Sequence, residues 1–120
     1  MGAWVIHEHP DVAKWLEGLT GTTAVTVAAA LDRLAEDGPA LGRPTVDSIK
    51  GSRHHNMKEL RARTVRILFV FDPRRAAILL VAGDKRGEWE RWYKASIPLA
   101  DDRYDEWLTM LDEGKAKGAR

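Results

Sequence analysis

The chain contains no cysteine, which excludes disulfides and thiolate metal sites and is compatible with a reducing compartment. No apolar run approaches the roughly 18–20 residues that a membrane-spanning helix requires. The N-terminus also lacks the charged segment and apolar stretch of a secretory signal, so the expectation is a cytoplasmic protein with no membrane partner. Internal repeats and low-complexity segments are missing as well. Metal-ligand spacing is equally scarce. His7 and His9 lie on one short strand without an obvious further ligand, and Asp84 alone is insufficient, so neither a metal nor any other cofactor is expected.

What remains is the composition of a globular protein, 44% hydrophobic and 31% charged, long enough at 120 residues for one domain (1–120) with a real core. The net charge of +1 conceals a segregation. Residues 1–42 hold two Lys/Arg against six Asp/Glu, a balance of −4; residues 43–94 hold thirteen against six, +7; residues 95–120 hold four against six, −2. A basic middle between acidic flanks points to a local electropositive surface, for which nucleic acid is the commonest partner.

Within that middle, residues 56–61, 64–72 and 76–82 read as three strands joined by tight turns. In the second, Val65, Ile67, Phe69 and Phe71 alternate with Arg66, Leu68 and Val70, a period of two with β-branched and aromatic bias. Asp72-Pro73 supplies the next turn. The third strand is apolar on both faces, as suits a central strand covered on both sides. With Arg63 and Thr64 at the centre of a tight hairpin, Arg61 lies opposite Arg66 on the face of Met57, Leu68 and Val70, while Leu60, Ile67, Phe69 and Phe71 make the core face.

Like charges opposed across a ladder are destabilising, so the arginine pair calls for a reason. One is a phosphate site: planar guanidinium forks match phosphate oxygens two at a time, and Asp84-Lys85-Arg86 brings a third guanidinium to the end of that surface. The other is neutralisation by Glu59, Asp72 and Asp84 in ordinary surface pairs, each worth about 1 kcal/mol or less. Both stand at this point.

The rest of the chain supplies cover for the sheet. Residues 3–9 read as a strand and Pro10 as the first turn of a helix to residue 19, with Val12, Trp15, Leu16 and Leu19 on one face. A second helix runs from Thr22 or Thr23 to Asp37, with Val27, Leu31 and Leu34 on its buried stripe, and Gly38-Pro39 stops it. Residues 40–55 are irregular and carry Arg43, Lys50 and Arg53 towards the sheet as a loop over a binding surface or as a plain connector. Ile97-Pro98-Leu99 opens a last helix to about Leu111, with Leu99, Tyr104, Trp107, Leu108 and Leu111 as its apolar stripe, before a polar tail at 114–120. The order β-α-α-β-β-β-α makes an α+β domain: a small, twisted, mostly antiparallel sheet with the two early helices on one face and the last helix at an edge or on the far face beside the arginines.

That order, together with KELR, TVRILFVFD, LLVAGDKRG and WERWYKASIPLADDRYDEWL, resembles the RelE/ParE superfamily of toxins from toxin–antitoxin modules, in its phage-derived, Gp49-like and HigB-like branch. The resemblance covers nearly the whole chain and is strongest over residues 55–112. It implies a RelE-like fold and a ribosome-dependent mRNA endonuclease without a metal, in which the RNA 2′-hydroxyl attacks the adjacent phosphate. It also implies a cognate antitoxin, of helix-turn-helix type, that holds the enzyme inactive. On the same resemblance Arg61 falls on the ELR arginine, Arg66 on the second-strand arginine at the scissile phosphate, and Arg86 on the loop arginine. Tyr93 falls on the tyrosine that stacks on a base and assists proton transfer. It stands one residue further from its arginine than the pattern has it, so Trp92 competes for the stacking role.

The chain departs from the pattern where RelE-type enzymes place two lysines: Met57 and Glu59 stand there, and Lys58 is one position off, hence on the opposite face. Proton transfer then falls to Tyr93, Lys85 or the histidines His54 and His55. Free Tyr and Lys titrate near ~10, so either needs the arginines to lower its pKa before it serves as a base. Trp89, Trp92 and Tyr93 offer flat surfaces on which bases stack, with core packing as the alternative for the tryptophans. Lys50, Arg53, His54, Lys58, Lys85 and Trp92 complete the expected RNA-contacting set. Two other functions compete: a non-catalytic DNA gyrase inhibitor similar to ParE, and a basic RNA-binding module without toxicity.

Overall fold

The computed structural model describes residues 4–84 and 86–118, with side chains through 113. In chain order it comprises β1 (Val5–Glu8), α1 (Pro10–Glu17), α2 (Gly21–Asp37), a 3₁₀ turn (Gly38–Ala40), β2 (Val46–Ser48), β3 (Lys58–Ala62), β4 (Val65–Asp72), β5 (Ala76–Asp84) and α3 (Trp89–Gly118). The strands form one mixed sheet in the order β1-β5-β4-β3-β2, with β1 parallel to β5 and every other pairing antiparallel. The α+β architecture follows the expected order, with one strand added. That strand, β2, lies in the stretch predicted to be irregular; three residues are too few to show a period of two, and Val46 is held by pairing with Leu60.

Helices cover both faces, which explains why β4 and β5 are apolar on both sides along their middle, Ile67–Phe71 and Ala76–Ala82. Ile67, Phe69, Ala77 and Leu79 meet Val12, Val27, Ala30 and Leu34 from α1 and α2. Leu68, Val70, Ile78, Leu80 and Val81 meet Met57 and the α3 residues Ala100 and Tyr104 on the other face. A bulge between Leu68 and Phe69 leaves Leu80 as the extra residue of β5 and keeps both Leu80 and Val81 on the α3 side. Helix ends follow local chemistry. The Asp11 N–H donates to Nδ1 of His9 (3.1 Å) at the start of α1, where Pro10 needs no donor of its own. Gly38 ends α2 at φ 55°, and a Cβ there would lie 2.2 Å from Nε1 of Trp4.

The last helix differs most from expectation. It begins at Trp89 rather than Ile97 and runs past Pro98, which lies inside it. A proline within a helix costs about 3 kcal/mol. The turns before it are held by Trp92 and Ile97, which pack into the second core cluster. Of the expected stripe, Tyr104 is buried and Trp107 packs against the core, whereas Leu99 and Leu108 are 41% and 38% exposed. The helix presents Ala100, Asp101 and Tyr104 to the sheet and loop instead, so the two leucines rotate outward. The helix also continues through Gly118, where a polar tail was expected from residue 114; residues 119 and 120 lie outside the described residues.

Candidate active site

The β3–β4 hairpin turns at Arg63 and Thr64, with Arg63 at φ 57°, and sets Arg61 opposite Arg66 as expected. The two guanidiniums do not stand as bare cations. Glu59, two residues before Arg61 on the same strand face, is 2% exposed and lies between them. Arg61 Nε–H donates to its Oε2 (2.9 Å), Arg66 Nε stands 3.7 Å from its Oε1, and the Tyr93 hydroxyl donates to the same Oε1. A buried carboxylate is costly unless paired and hydrogen-bonded, and here two cations and a phenol satisfy it. Neutralisation by Glu59 is therefore real, but as a buried cluster rather than an ordinary surface pair.

Arg66 is fixed from its other side as well. Its Nη1 donates to the carbonyls of Arg63 (2.6 Å) and Val65 (2.9 Å), so the turn aims the guanidinium. Its Nε is buried without a hydrogen-bond partner, and the guanidinium carbon lies 5.4 Å from the centroid of the Trp89 ring. Arg61 reaches Asp47 on β2 through Nη2 (3.3 Å). Burial pulls the Arg61 pKa down, but the hydrogen bond and charge of Glu59 outweigh it and hold the group above its ordinary value.

Tyr93 does not have the lowered pKa that service as a base would need. Burial first, then its hydrogen bond to Glu59, pushes the phenol up to about 12 against the opposing pull of Arg66. At neutral pH the phenol keeps its proton and donates it in a hydrogen bond to Glu59. Glu59, which stands where the resemblance leads one to look for lysine, is the acceptor at the centre of the cluster.

The loop arginine sits at the same end of the sheet but makes its own pair. Val65 is in register with Asp84, and Arg86 folds back on that carboxylate, with Nη2 3.1 Å from Oδ2 and the side chain 78% exposed. Burial raises the Asp84 pKa, but the Arg86 backbone N–H, the Thr64 hydroxyl and the Arg86 charge together hold it below the ordinary carboxylate range. Lys85 lies outside the described residues.

The remaining predicted contacts divide. Arg53 is bound to carboxylates of α3, Asp102 at 2.9 Å and Asp105 closer still. His54 places Nε2 2.8 Å from Asp105 Oδ1 and its ring edge-on to Tyr104. Both fasten the loop at 49–57 to α3. Lys50 is exposed, and Lys58, with Phe69 as its Cα partner, is on the face opposite Glu59. Trp92 is half-buried over β5, where a Cβ on Gly83 would come within 2.3 Å of its Nε1, and it packs against the core on that face. His7 contacts Trp107, and among the described residues no group of three His, Asp or Glu gathers that could hold a metal ion.

With this geometry in view, a family model described as phage-derived protein Gp49-like matches residues 14–105. The chain belongs to that family. It is 50% identical over 107 residues to "Putative toxin HigB3" of Mycobacterium tuberculosis, across 88% of this chain and 94% of that one. It is 49% identical over 111 residues to "Putative toxin HigB2" of the same organism, which is longer: the match takes in 55% of it. Among solved structures, the archaeal RelE of a RelE–RelB complex from Pyrococcus horikoshii superposes with a TM-score of 0.58 at 17% identity, covering 72% of this chain and 98% of that one. The fold is thus RelE-like, and the Gp49-like chain is a RelE/HigB-like member of the superfamily that its motifs resemble.

Proposed function

We propose that this protein is the toxin of a type II toxin–antitoxin module, a ribosome-dependent endoribonuclease that cuts mRNA in the cytoplasm and is neutralised by a cognate antitoxin. The observation that carries this reading is the meeting of Arg61, Arg66 and Tyr93 around Glu59 on one face of the hairpin. An RNA phosphate at this face draws the two guanidiniums from Glu59 onto its own oxygens and satisfies the bare Nε of Arg66. The released Glu59 carboxylate takes the 2′-hydroxyl proton as the 2′-oxygen–phosphorus bond forms. The phosphorus–5′-oxygen bond breaks, and the leaving oxygen takes a proton from the Tyr93 phenol. Arg86 adds charge when its loop turns from Asp84 to the RNA. Donors and cations aimed at developing charge are commonly the largest catalytic contribution, about 10²–10³ for a single group.

The antitoxin part of the proposal draws on the toxin names of the HigB relatives and on the neighbour solved as RelE with RelB. A helix-turn-helix antitoxin that offers carboxylates to Arg61 and Arg66 would extend what Glu59 already does. The test is incubation with translating ribosomes, followed by primer-extension mapping of the transcript. Discrete cleavage is expected, and Arg66→Ala reduces it about a hundredfold or more; intact mRNA with the unaltered protein overturns the reading. One observation favours a second reading, a gyrase inhibitor: Met57 and Glu59 are both buried where lysines would serve catalysis. Gyrase-dependent DNA breaks with intact mRNA select it.

A further inference from the structure

Five tryptophans occur in the chain, and four of them are at least partly covered: Trp4, Trp15, Trp92 and Trp107 are half-buried. Trp89 is different. It opens α3 with 53% of its surface in solvent, and among the described residues it is the one aromatic side chain with large exposure. It also borders the cluster. The Arg66 guanidinium lies over its ring at 5.4 Å, and the Tyr93 ring stands 6.1 Å away, tilted by 35°. About half of this indole stays wet, which leaves a broad apolar surface open beside the cluster. Placed against the arginine that faces the phosphate, it has the shape and the position to hold a planar group attached to that phosphate.

We propose that Trp89 is the platform on which the nucleobase next to the scissile phosphate stacks, with Arg66 gripping the phosphate and Trp89 the adjoining base of the same single-stranded RNA. The inference rests on the endonuclease reading and deepens it. It moves the stacking role from Tyr93, whose hydroxyl is bound to Glu59, and from its competitor Trp92, packed on β5 above Gly83, to a tryptophan one helical turn earlier. A π-face is common to every base, so the platform fixes the position of cleavage along the strand more than the identity of the base.

The experiment is a double-mutant cycle between protein and RNA on ribosomes programmed with a short mRNA, read as single-turnover cleavage rate. Trp89→Ala slows cleavage about tenfold or more, and Trp89→Phe retains most of the rate. An abasic nucleotide beside the scissile phosphate slows the unaltered protein by a similar factor and leaves Trp89→Ala no slower than it already was. Such coupling separates stacking from mere support of Arg66, which would leave the abasic penalty the same in both proteins. Equal abasic penalties, or a wild-type rate for Trp89→Ala with an unchanged melting temperature, overturn the inference alone. If the unaltered protein leaves the programmed mRNA whole, the endonuclease reading falls and takes this one with it.

Discussion

At the scale of single residues, Glu59 converts an electrostatic liability into a site. Opposed arginines on neighbouring strands repel, and the carboxylate between them is what lets the hairpin keep both. Tyr93 shares that carboxylate, and its raised pKa has a readable consequence. A phenol that is harder to ionise folded than unfolded favours the native state fully below pH 10, its unfolded value, and loses that contribution as the pH rises towards 12. Tyr93→Phe lacks the hydroxyl and should be about 1 kcal/mol less stable at pH 7, the usual net worth of a hydrogen bond. The gap between the two proteins in urea unfolding should close from pH 10 to 12. A gap that stays constant across that interval would show that the hydroxyl is not bound to Glu59.

At the scale of elements, the hairpin was legible and the last helix was not. Period-two alternation over residues 64–72 and the Arg63-Thr64 turn were enough to place Arg61 against Arg66, the register observed. The same alternation also put Glu59 on that face, two residues from Arg61, yet a carboxylate beside arginines reads from sequence as surface neutralisation; burial is a tertiary fact supplied by α3. Pro98 hides the start of that helix, because packing before it overrides the local tendency of a proline to open or break a helix. The anchor before the proline is Trp92 on Gly83, and it makes a prediction at this scale. Gly83→Ala puts a methyl 2.3 Å from the Trp92 Nε1, so the indole must shift and carry the first turns of α3 with it. A loss of about 1–3 kcal/mol is expected, with a change in tryptophan fluorescence; an unaltered melting temperature would mean that the helix start is not pinned there.

At the scale of the whole molecule, the basic middle of the sequence does not become one basic surface. β4 is eight residues long, about 23 Å at 3.3 Å per step. Arg61 and Arg66 lie near its hairpin end, with the Arg86 loop joined there through Asp84. Arg74 and Arg75 lie at the turn beyond the other end, beside Asp72 and Trp4 respectively. Arg53 goes to neither end, because the acidic segment after residue 95 folds back over it. A charge count along the chain registers the excess and its flanks, but which acid meets which base depends on the crossing of α3 over the sheet.

That crossing is fastened at Asp101, which is 3% exposed on α3 and accepts hydrogen bonds from the Ser52 hydroxyl and the Arg53 backbone N–H (3.1 Å). Asp105, one turn later, holds the Arg53 and His54 side chains near the surface. The two aspartates should therefore differ sharply. Asp101→Ala leaves a hydroxyl and a backbone N–H without their acceptor inside the structure, which costs about 2 kcal/mol. It should also free the loop at 49–57, so that trypsin cuts after Lys50 or Arg53 under native conditions. Asp105→Ala removes an exposed partner that water replaces, and should change the melting temperature little. Met57 closes this loop and Glu59 follows one residue into β3, so its release should loosen the carboxylate that the two arginines share. Equal effects from both substitutions, or an uncut loop in Asp101→Ala, would show that the loop is held by something other than its buried aspartate.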